Sequence, residues 1–82
     1  MDKSRNNMTV HILITEFHFG NMIDYNIKGV YQNILDAQQE MTNIFNKWTS
    51  DDFVGFEQAF NYYRVNYKDG FVIACITSNQ VI

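Results

Sequence analysis

One stretch of this chain, Asn33 to Trp48 ("NILDAQQEMTNIFNKW"), carries the longest run of apolar residues at helical spacing, and it lies between two strand pairs. Ile34, Ala37, Met41, Ile44 and Trp48 recur at steps of three and four, the stripe of an amphipathic helix with one face to bury. Asn33 is placed to cap its first turn, Asp36 suits the positive pole of the helix dipole, and Lys47 suits the negative pole. A single helix covers one face of a sheet. The other face must meet water or a partner.

The flanking segments alternate as strands do. Thr9–Phe19 and Met22–Tyr31 are joined by Gly20-Asn21, a two-residue hairpin signal in which glycine supplies a positive φ. If Phe19 faces Met22, then Ile14 faces Ile27, Ile12 faces Gly29 and Val10 faces Tyr31, which predicts one apolar face. Tyr62–Lys68 and Phe71–Thr77 form a second hairpin across Asp69-Gly70. Between helix and second hairpin, "TSDDFVGFEQAF" admits a short helix capped by Ser50, with Phe53, Phe56 and Phe60 along one side. Gly55 works against that helix, and an ordered loop is the alternative. Residues 1–7 are polar and expected to be disordered, leaving 8–82 as a single domain.

The expected fold is therefore α+β, in the order β-β-α-(short α)-β-β. A four-stranded, mainly antiparallel sheet carries the long helix on one face. The helix is expected to cover Val10, Ile12, Ile14, Ile27, Tyr31, Val65, Val72, Ala74 and Ile76, with Trp48 largely buried at its end. Apolar residues at 46% and aromatics at 16% supply such a core and argue against disorder.

The run "GVYQNILDA", a Gly-Val-Tyr step before a capped helix with an early alanine, resembles a type of small uncharacterised phage and bacterial protein with a β-β-α start. The resemblance spans Thr9 to Trp48, with Asn33 in place of the usual serine cap. It implies the fold and a phage or bacterial origin, and it carries over no functional residue. Ten Asn and nine Ile against three Ala and two Arg fit an A/T-rich coding sequence of that kind.

Chemistry is sparse. His11, Glu16 and His18 are the only cluster suggestive of a metal, yet on a strand His11 faces away from the other two, and two ligands make a poor site. The lone Cys75 forms no intramolecular disulfide and reads as a small buried hydrophobe; as a nucleophile it has only His11 as a base. Asp51-Asp52 suits a helix start, and the four glycines are too dispersed to cradle a phosphate. Neither an enzyme nor a bound cofactor is expected. A net charge of −3 argues against duplex DNA, and the short, alternating apolar run at the start is a strand rather than a membrane span. A soluble, cytoplasmic protein is expected.

The uncovered face is expected to hold His11, Leu13, Thr15, Phe17, Phe19, Met22, Val30, Tyr62, Phe71, Ile73 and Cys75. Lys28, Arg64 and Lys68, three of the six basic residues, stand among them. Apolar surface of that extent marks an interaction site. The predicted binding residues are Leu13, Phe17, Lys28, Tyr62, Arg64, Lys68, Phe71 and Ile73. Three uses compete: homo-oligomerisation, capture of another protein, and stacking with neutralisation of a nucleotide or single strand. The expected function is a non-enzymatic, phage-encoded binding protein that inhibits or modulates a host protein, a defence system being one such target. The alternative is an oligomeric protein that sequesters a nucleotide-like anion or single-stranded nucleic acid.

Overall fold

The computed structural model describes residues 8–81, in the order β1 (Met8–Phe19), β2 (Met22–Tyr31), α1 (Ile34–Trp48), β3 (Gly55–Ala59), β4 (Tyr62–Tyr67) and β5 (Gly70–Val81). The expected disordered segment 1–7 lies outside the described residues. The strands form one five-stranded antiparallel sheet in the order β2-β1-β5-β4-β3, with α1 on one face. At its centre β1 and β5 pair along their full length, from Met8–Val81 to Phe19–Gly70. The edge strands β2 and β3 run in the same direction, so α1 joins them as a crossover, a connection with a strongly preferred hand.

The helix forms as its sequence requires. The Asn33 side chain accepts a hydrogen bond from the Leu35 amide at 2.9 Å. At the other end the Thr49 hydroxyl donates to the Phe45 carbonyl at 3.0 Å and the Ser50 hydroxyl to the Lys47 carbonyl at 2.6 Å. Ala37, Met41, Ile44 and Phe45 make up the buried stripe. They pack on Leu13, Ala74 and Ile76 on one side and on Val65 and Val72 on the other.

The second hairpin shows the expected faces with a different turn. Tyr67 pairs with Gly70, so Lys68 and Asp69 are the turn and Gly70 opens β5. The expected register differs by two places, and a shift of two leaves every side chain on its own face. Val65, Val72, Ala74 and Ile76 accordingly lie under the helix, all buried.

The first hairpin has its faces exchanged. Leu13 pairs with Ile76, Thr15 with Ala74 and Phe17 with Val72, and directly opposed residues share a side. Leu13, Thr15, Phe17 and Phe19 therefore face the helix, and Leu13 is fully buried. Val10, Ile12, Ile14 and Ile27, expected in the core, lie on the opposite face, where Ile27 is 70% exposed. Alternation defines two faces of a hairpin, and the ladder to β5 selects between them. Counting aliphatic residues selects the other one.

A register shift separates Leu13 from Ile14: Ile14 pairs with Ile27 and Leu13 with Gly29, leaving Lys28 as an extra residue. Ile12 then meets Val30 and His11 meets Tyr31, in place of the expected Ile12–Gly29 and Val10–Tyr31 pairs. The shift keeps Tyr31 on the helix side, with its ring across Gly29. A Cβ at Gly29 would stand 2.6–2.8 Å from that ring's atoms.

Two further expectations change. Residues 50–60 hold no helix. Gly55–Ala59 pairs with β4 as a fifth strand, and Phe60-Asn61 is the turn. The three-residue spacing of the phenylalanines places Phe53 against Phe56, and Phe56 edge-on to Phe45 at 5.3 Å, as the chain enters β3. Trp48 is half-buried rather than sealed in the core.

Gly70 has a steric role at the end of the central ladder. A Cβ there would run into the His18 carbonyl oxygen and the Phe19 ring, while a Cβ at Gly55 meets nothing within 4 Å. Gly70→Ala should destabilise the domain by about 1–3 kcal/mol or more, the cost of overpacking against a fixed backbone. Gly55→Ala should be near neutral. Urea unfolding of both variants checks the contrast.

Candidate functional site

Among the described residues, nothing covers the face of the sheet opposite the helix. Across it stand Ile23, Tyr25, Ile27 and Val30 of β2, Val10, Ile12 and Ile14 of β1, and Ile73 and Cys75 of β5. Ile23 is 55%, Val30 61% and Tyr25 64% exposed. Val10, Ile12, Ile14, Ile73 and Cys75 are partly exposed beside them, so apolar side chains of three neighbouring strands adjoin on this face. Exposed apolar patches mark interaction sites when they are extensive.

One end of this face is polar and already organised. The His18 ring stacks on Phe71 with centroids 4.4 Å apart and planes 12° from parallel. From the strand on the other side of β5, the Arg64 guanidinium stands 3.8 Å from the Phe71 ring centre, a cation–π contact. Arg64 Nε donates to Asn66 Oδ1 at 2.8 Å, and His18 Nε2 donates to Glu16 Oε1 at 2.9 Å. The Phe71 ring and the Arg64 head are thus engaged by neighbours within the sheet.

The sheet divides the predicted binding residues. Tyr62, Arg64, Phe71 and Ile73 lie on the bare face, as expected. Leu13 is core, and Phe17 and Lys28 face the helix side; both follow from the exchanged faces of the first hairpin. Lys68 sits in the β4–β5 turn. His11 also lies on the helix side, where its Nδ1 is 2.7 Å from the Ser78 hydroxyl, so it shares a face with neither Cys75 nor the Glu16–His18 pair. Ile12, Ile14, Tyr25 and Ile27 were legible as apolar, and only their face was misread.

The helix side carries a groove at its open end, beside the tip of the first hairpin. Phe17 and Trp48 meet edge-to-face at 5.8 Å and form its centre. To one side lies a cavity of about 420 Å³ lined by Phe19, Tyr67, Asp51, Asp52, Lys68 and Asp69. The Tyr67 hydroxyl donates to the Trp48 carbonyl at 2.6 Å. Burial, with the Asp51 charge second, holds that phenol above its ordinary pKa. To the other side lies a hollow of about 210 Å³ bounded by Thr15, Lys28, Glu40, Ile44 and Lys47. Thr15 is 1% exposed and, among the described residues, its hydroxyl has no hydrogen-bond partner. Such an orphan costs about 1–3 kcal/mol. Among the described residues, neither Lys28 nor Lys47 pairs with a carboxylate.

Cys75 reports on the bare face. Burial, and then the charge of Glu16, raise its thiol pKa above that of a free cysteine. The thiolate is the nucleophile, so alkylation should be slow at neutral pH and should keep accelerating above the pH at which a free cysteine levels off. A plateau at or below the free-cysteine pH would contradict the described surroundings of Cys75.

Among the described residues no helix is long and apolar enough to cross a membrane, and no three His, Cys, Asp or Glu side chains gather as a metal site. No family model, no curated protein and no solved structure matches the chain.

Proposed function

We propose that this protein is a non-enzymatic binding protein whose bare sheet face closes over the surface of another protein and blocks it. The single observation that carries this reading is the uncovered apolar face around Ile12, Ile14, Ile27 and Ile73. Burial of such side chains supplies the main driving force of association, at roughly 25 cal/mol for each Å² removed from water.

The face is favoured over the sheet edges. Strand β2 is kinked by its extra residue and carries Lys28 there, and β3 is only five residues long. Bulges, lysines and short edge strands are the features that discourage edge pairing. The resemblance of the chain's first half to small phage and bacterial proteins makes the partner a host protein in the host cytoplasm, a defence component being one such target. Without that partner the same face joins a second copy of the chain.

The alternative, sequestration of a nucleotide or single strand by this face, would need Lys28, Arg64 and Lys68 beside Phe17 and Phe71. Phe17 and Lys28 stand on the opposite side of the sheet. Phe71 is stacked by His18 and capped by Arg64. That alternative has less support than the protein-binding reading.

The test is self-association and its loss. Sedimentation at high micromolar concentration should show a dimer or larger species for the native chain. Ile73→Lys places an ammonium in the middle of the face and should give a folded monomer that no longer retains a partner from host lysate. A native chain that stays monomeric and retains nothing, or an Ile73→Lys variant that behaves as wild type, would overturn the reading.

A further inference from the structure

We propose that the hollow between α1 and the first hairpin binds a phosphate monoester carried on a planar ring, a nucleoside monophosphate. The site lies on the opposite side of the sheet from the bare face and is independent of it. Thr15 lines its floor, nine-tenths and more buried, and its hydroxyl has no hydrogen-bond partner among the described residues. A buried orphan hydroxyl in a native core calls for an explanation, and a ligand that accepts its hydrogen bond is one. Lysines from two different elements line the same hollow. Lys28 is the extra residue of β2, and Lys47 belongs to the last turn of α1. Together with Thr15 they place donor-bearing side chains of three elements around one hollow, and hydrogen bonds to charged acceptors are the strong ones.

The ring has a place as well. Phe17 and Trp48, in edge-to-face contact with each other, both line the hollow. Phe17 and Lys28 also line a neighbouring trough of about 410 Å³, with Phe19, Met22, Asp24 and Asn26, which has room for a base or sugar. Its Asp24 and Asn26, like Glu40 in the hollow, offer acceptors to the amines and hydroxyls of a nucleoside. Sheet geometry alone brings Lys28 and Phe17 together here, and Lys47, Trp48 and Thr15 complete the site.

Amide and indole NMR shifts during titration with adenosine monophosphate test this on the whole chain, with adenosine and inorganic phosphate as separate arms. The expected result is saturable shifts at Thr15, Phe17, Lys28, Lys47 and the Trp48 indole, with the two fragments binding about tenfold or more weakly than the nucleotide. Lys47 is exposed on the helix, so Lys47→Ala should fold normally and weaken nucleotide binding about tenfold. Thr15→Val should raise the melting temperature of the free protein and reduce the further rise that the nucleotide gives. The proposal is overturned by the absence of saturable shifts, by adenosine or phosphate alone matching the nucleotide, by unchanged binding in Lys47→Ala, or by shifts centred on Ile12 and Ile73.

Discussion

The structure depends on the ladder between β1 and β5. These strands are far apart in sequence, yet they pair along twelve residues each at the centre of the sheet. Because side chains alternate with a period of two, that register fixes which half of β1 joins Val72, Ala74 and Ile76. Leu13 and Thr15 go to the helix, and Ile12 and Ile14 go to the other side. A slip of one residue would exchange the two sets and leave α1 over a different floor.

Both candidate surfaces follow from this choice. The face rich in isoleucine and valine has no helix, so the most hydrophobic half of the first hairpin is available to a partner. The face under the helix receives residues that fill it imperfectly. Thr15 brings a hydroxyl without a partner, and the aromatics Phe17 and Phe19 reach beyond the helix end to Trp48 and Tyr67. Packing that seals the middle of the domain around Leu13, Met41 and Ile76 opens into a groove at the hairpin tip. One sheet therefore offers a flat apolar surface on one side and a polar, aromatic-walled groove on the other.

Much of the fold was legible in local sequence. The Asn33 cap and the Gly20-Asn21 turn act within a few residues and stand as read, with Gly20 at a φ of 60°. Of the helical stripe Ala37, Met41 and Ile44 are buried as read, Phe45 joins them, and Ile34 and Trp48 are only partly buried. The faces of the second hairpin survived a misplaced turn because the error was an even number of residues. What could not be read depends on distant pairing. The face of β1 is set by β5, the extra residue at Lys28 shows only in the β1–β2 ladder, and β3 forms on the open edge of β4. The phenylalanines of 53–60 imitate a helical stripe, and only the strand beside them shows otherwise. The candidate site inherits the same limit. Tyr62, Arg64, Phe71 and Ile73 fall on the expected face, while Leu13, Phe17 and Lys28 left it together because one register moved them all.

The most direct test compares Leu13→Ala with Ile27→Ala by urea unfolding at low micromolar concentration, where self-association contributes little. The two changes remove similar aliphatic bulk from opposite sides of the first hairpin. Leu13 is fully buried and Ile27 is 70% exposed. Leu13→Ala should cost about 2–5 kcal/mol, and Ile27→Ala should cost under about 1 kcal/mol. The reverse ranking would place the isoleucine face under the helix and contradict the account.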